Sequence, residues 1–125
     1  MKKARKALED LDDVVIAYVF GSVIKNKMHA FSDIDIAVKL KDASFANIAQ
    51  VNSILVDALG DKVHTVLING APPLLRYEVV KHGALILSRS ERERILFESR
   101  AIMEGLDEKD MLEWIRKMNL RRIIS

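Results

Sequence analysis

The apolar positions of this chain change period several times, and each change marks an element. Ala4, Ala7, Leu8 and Leu11 recur at helical spacing and predict a short amphipathic helix over residues 2–11. Residues 14–20 (VVIAYVF) are an unbroken apolar run rich in β-branched and aromatic side chains, stopped by Gly21. So short a run predicts a buried strand rather than a helix. In residues 33–40 (DIDIAVKL), Ile34, Ile36, Val38 and Leu40 alternate with polar or small residues, the period of a second strand. Ser44 or Asp42 can cap a helix whose apolar face is Phe45, Ile48, Val51, Leu55 and Leu59, and Gly60 stops it. Residues 63–68 predict a third strand and Asn69-Gly70 a turn. Pro72-Pro73 stand where a helix opens, over residues 74–82, and Gly83 ends it before a short fourth strand at 84–87. Ser90-x-x-Glu93 is a capping-box pattern opening a helix that runs to about Glu104, with Gly105 behind it. A last helix over 107–118 presents Met111, Leu112, Ile115 and Met118, with Trp114 in the same stripe. This stripe is either packed on the sheet or offered to another chain, so a complex or oligomer is in view. The order predicts an α/β protein, a small mixed β-sheet of about four strands flanked by helices.

Chemistry concentrates between Phe20 and Ile36. Asp33 and Asp35 are two apart on a strand, so both carboxylates project from one face, their α-carbons about 6–7 Å apart. Like charges that close need a counter-charge, or one of them stays protonated; a hard divalent cation such as Mg²⁺ supplies the counter-charge while keeping positions open for phosphate oxygens. Gly21 lets the backbone turn sharply after a buried strand, and Ser22 with free N–H groups beyond it can hold phosphate oxygens. Residues 23–32, ten in all, separate Ser22 from Asp33. A parallel crossover needs about a dozen or more, so the first two strands should be antiparallel neighbours. The phosphate holder then lies beside the metal holder at one end of the sheet.

Composition narrows the setting. The 125 residues fit one domain, half of them hydrophobic and 30% charged, enough to bury a real core. A net charge of +2, from 20 basic and 18 acidic residues, makes no electrostatic case for wrapping nucleic acid. There are no cysteines, which excludes disulfides, thiolate metal sites and cysteine nucleophiles. No apolar run is long enough to span a membrane, and a soluble cytoplasmic protein is expected.

Gly21-Ser22, ten residues, then Asp33-x-Asp35, with apolar strands on both sides, resembles the signature of the DNA polymerase β-like nucleotidyltransferases. The small size and the later run APPLLRYEVVKHGALIL resemble the minimal nucleotidyltransferase (MNT) group, whose members commonly pair with a small helical HEPN protein. The resemblance covers residues 14–104. It implies a polymerase β palm-like fold and transfer of a nucleoside monophosphate, usually AMP from ATP, onto an acceptor that in some members is the HEPN toxin. By the same resemblance Gly21 and Ser22 would hold the triphosphate, and Asp33 and Asp35 would ligate Mg²⁺. It also implies a third carboxylate on the next strand, where this chain carries His64. Asp61 is nearby but too early, in the turn after Gly60. Two readings follow. His64 acts as a general base in an active site, or the chain is an antitoxin-like subunit of weakened catalysis that neutralises its partner by complex formation.

Overall fold

The computed structural model describes residues 2–20, 34–105 and Arg116. The elements are α1 (Lys2–Glu9), β1 (Val14–Phe20), β2 (Ile34–Leu40), α2 (Phe45–Leu59), β3 (Val63–Leu67), α3 (Pro73–His82), β4 (Ala84–Ser88) and α4 (Glu91–Gly105). The helix predicted over 107–118, with Trp114, lies outside the described residues.

The four strands form one mixed sheet in the order β3-β2-β1-β4. β1 is antiparallel to β2 and to β4, and β2 is parallel to β3. The antiparallel β1–β2 pair is the one expected from the sequence, and α2 makes the crossover between the parallel strands β2 and β3. β1 is central and buried along nearly all its length, which is why its sequence runs apolar without alternating.

Each sheet face has its own core. On one, α1 and α2 bring Leu8, Val51 and Leu55 onto Ala17, Val19, Ile36, Val38 and Leu40. On the other, Val79 of α3 and Phe97 of α4 pack on Ile16, Tyr18, Ala37 and Ile68. Because side chains alternate along β2, Ile34 and Ile36 belong to the first face and Asp35 to the second.

Polar contacts fix the ends of these elements. Ser44 Oγ accepts from the Asn47 N–H at the start of α2, and Ser90 Oγ from the Glu93 N–H at the start of α4. α1 stops at Glu9, short of the predicted Leu11, because the chain turns there toward β1. The Arg89 guanidinium collects the released carbonyls of Leu8, Glu9 and Leu11, and its Nε donates to Val14 O at 2.7 Å. After β3, Asn69 does more than turn the chain. Its amide both accepts from Leu40 N–H (2.8 Å) and donates to Leu40 O (2.7 Å), imitating one more rung of the sheet, and Gly70 follows at φ +68°.

Tyr18 is the one phenol in the second core. Its hydroxyl donates to Glu98 Oε1 at 2.7 Å, and Glu98 is in turn paired with Arg94. Burial, and then the bond to Glu98, push its pKa well above the ordinary 10.0. In the unfolded chain the phenol ionises near its ordinary value, whereas the folded protein keeps the proton. The stabilisation is therefore complete below about pH 10 and is lost as pH rises above it, by up to about 1.4 kcal/mol per pH unit. Tyr18→Phe should flatten this alkaline loss in urea melts at roughly pH 9 and pH 11. Parallel losses in the two proteins would remove Tyr18 as its source.

Candidate active site

The candidate site is built at the end of the sheet where β1 finishes and β2 and β3 begin. Asp35 is the second residue of β2 and half-buried. Its neighbour across the antiparallel ladder is Phe20, the last residue of β1, and across the parallel ladder it is His64, the second residue of β3. The carboxylate is thus flanked on one side by the residue preceding Gly21-Ser22 and on the other by the histidine. Gly21, Ser22 and Asp33 themselves lie outside the described residues.

Register decides which side chains share a face. Val63 is buried in the α1/α2 core, so His64 points to the opposite face, the one that carries Asp35. Neighbouring strands are about 4.8 Å apart, which brings the two side chains alongside each other. His64 is exposed, and Asp61 is exposed in the turn before β3. The Ile34 N–H donates to Lys62 O at 2.9 Å, the bond that opens the parallel β2–β3 ladder at the Ile34↔Val63 pair.

α3 braces this end of the sheet. It ends at Gly83, which lies against the β1 backbone: a Cβ there would stand 2.3 Å from Val79 O and 3.3 Å from Val19 O. Behind it, Lys81 lies over the Tyr77 ring at 5.2 Å, Tyr77 packs under Gly105, and Arg76 pairs with Glu104 at 2.7 Å. Arg76 and Tyr77 thus join α3 to α4. His82 lies 3.5 Å from Glu78 in the last turn of α3.

The donor chemistry bears on the metal. Carboxylate oxygen suits Mg²⁺, and Asp35 offers it from a half-buried position near the start of β2. The neighbouring imidazole does not suit it. Among the described residues no group of three or more histidine, cysteine, aspartate and glutamate side chains could hold a metal. The fit therefore rests on oxygen ligands from Asp35 and, through the sequence pattern, Asp33.

Residues 2–92 match the family model described as "Polymerase beta, Nucleotidyltransferase". The chain belongs to that nucleotidyltransferase family. Its fold is similar to that of solved toxin–antitoxin structures. One is a toxin–antitoxin crystal structure with AMP-PNP, at 25% identity and TM-score 0.70, covering 99% of this chain and 98% of that one. Another is a tri-AMPylated Shewanella oneidensis HEPN toxin in complex with MNT antitoxin, at 24% identity and TM-score 0.63, covering 99% and 95%. A third, the toxin–antitoxin pair MntA-HepT, has 21% identity and TM-score 0.62 over the full length of both chains. No curated protein matches the sequence. Among the described residues of this nucleotidyltransferase no helix is long and apolar enough to cross a membrane.

Sequence reasoning missed two features of the site. The approach of Gly83 to β1 depends on where α3 docks, which its sequence does not state. Lys62 could have been found: once β3 is parallel to β2, stepping back two residues from His64 reaches it on the same face.

Proposed function

We propose that this nucleotidyltransferase is Mg²⁺-dependent and moves AMP from ATP onto a partner protein, a helical toxin of the HEPN type. The observation that carries the reading is the register Phe20↔Asp35, which sets the strand end leading into Gly21-Ser22 directly against the Asp-x-Asp strand. The AMP-PNP in one structural neighbour and the AMPylated toxin in another support the nucleotide and the acceptor.

In this reading Gly21 and Ser22 hold the triphosphate through backbone N–H groups and a hydroxyl. Asp33 and Asp35 hold Mg²⁺, which when bound neutralises charge on the phosphate oxygens. An acceptor hydroxyl oxygen attacks the α-phosphorus of ATP. The bond from that phosphorus to the bridging oxygen breaks, and pyrophosphate leaves. His64, beside Asp35 on the same face, takes the hydroxyl proton. Most of the protein's work is positioning, as is usual for this chemistry.

The second reading, an antitoxin-like binding subunit of weakened catalysis, is favoured by one observation: an exposed imidazole, not a carboxylate, stands next to Asp35 on β3. Labelled ATP incubated with the chain and its cognate partner separates the two. Catalysis predicts label on the partner, reduced about 10²-fold or more in His64→Gln, the size of a lost general base. Absence of label, with tight complex formation that survives Asp35→Asn, selects the binding subunit. Label that His64→Gln leaves untouched removes the histidine from the proton transfer and keeps the transferase.

A further inference from the structure

Lys62 is placed at the same sheet end as Asp35 and His64, and no role has been given to it. Its carbonyl takes the Ile34 N–H at 2.9 Å, so its backbone is pinned to the first rung of β2. Lys62 is the turn residue just before β3, and alternation continued back from buried Val63 would set its side chain on the face of Asp35 and His64. From the ladder spacings its α-carbon is about 8 Å from that of Asp35, within a lysine's reach. The side chain is also held against the protein. Lys2, Lys3, Lys6, Lys41 and Lys81 are exposed, whereas Lys62 is half-buried, as is Lys39 at the far end of β2.

An ammonium this close to a metal-binding carboxylate has two effects of opposite sign. It repels a bare divalent cation, because like charges in a partly desolvated site oppose each other. It attracts a polyphosphate, whose oxygens a lysine engages as a compact point charge. A cation already complexed to a nucleoside triphosphate carries net negative charge and benefits from both groups at once.

We propose that Lys62 contacts the polyphosphate of the incoming nucleotide and makes the site take up its divalent cation together with that polyphosphate rather than alone. The inference rests on the nucleotidyltransferase reading and names the residue that would couple its two ligands. It differs from a general stabilising role of Lys62, which would change both affinities in the same direction or neither.

The test is a pair of titrations on the full chain and on Lys62→Ala, Lys62→Arg and Asp35→Asn, each checked for folding by circular dichroism. ATP with Mg²⁺ is titrated calorimetrically, and Mn²⁺ alone is followed by electron paramagnetic resonance. Lys62→Ala should weaken ATP about tenfold, the loss of one charged contact, yet bind Mn²⁺ alone several-fold more tightly. Lys62→Arg should stay close to the wild type in both. Affinities that fall together, or that do not change, overturn the inference. If Asp35→Asn still abolishes Mg²⁺-dependent ATP binding in that case, the nucleotidyltransferase reading stands without it. No ATP binding by the wild type overturns both.

Discussion

Asp35→Asn is expected to lower AMP transfer to the partner by about 10²-fold or more while the protein stays folded, since a positioned electrostatic contact to a reacting phosphate is worth that much. The substitution is nearly isosteric and keeps the β2 backbone, whose pairing with Phe20 and His64 runs through main-chain atoms. Ile34 and Ile36, which set the register from the other face, are untouched. What changes is the charge: an amide oxygen is a much weaker ligand for Mg²⁺ than a carboxylate. Transfer is measured with labelled ATP beside a thermal melt of each protein. A folded Asp35→Asn chain that transfers at the wild-type rate would exclude Asp35 from the chemistry.

The largest effect on stability is expected from Gly83→Ala. A Cβ at this position meets the carbonyl oxygen of Val79 at 2.3 Å and that of Val19 at 3.3 Å, and both are backbone atoms that cannot rotate aside. The Gly83 N–H meanwhile donates to Val79 O at 2.8 Å, closing α3, so relief of the clash also strains that bond. Overpacking of this kind costs about 2–3 kcal/mol, which for a domain of this size lowers Tm by roughly 10 °C. Moving α3 away from Val19 would also displace the end of β1 that leads into Gly21-Ser22, so the variant should lose nucleotide affinity as well. A Tm within about 2 °C of the wild type would mean that the α3–β1 approach is looser than described.

How much of this was legible beforehand follows from where the information lies. β1 could be read because VVIAYVF is central in the sheet and buried on both faces, and a continuous apolar run is what such a position demands. The antiparallel pairing of β1 with β2 was read from the ten residues between Ser22 and Asp33, and the helix between β2 and β3 suits their parallel pairing. The alternation in DIDIAVKL gave the faces of Asp35 and Ile36. The register adds that Phe20 on β1 and His64 on β3 flank Asp35.

Other features are tertiary and leave little local trace. The outer position of β4, beside β1, depends on which sheet edge α3 delivers it to. At the α1 boundary, Arg89, about eighty residues away in sequence, binds the carbonyls of Leu8 and Glu9 where the chain turns toward β1. Asn69 read as a turn residue, and its paired bonds to Leu40 required knowing that β2 ends alongside it. Tyr18 looked like one more apolar strand residue until α4 brought Glu98 to its hydroxyl. In each case the partner is distant along the chain, and the local sequence carries only one half of the contact.

The most direct test of the central claim is calorimetric titration of ATP into the wild-type chain with and without Mg²⁺. The account predicts saturable binding that depends on Mg²⁺. The absence of ATP binding in both conditions would contradict it.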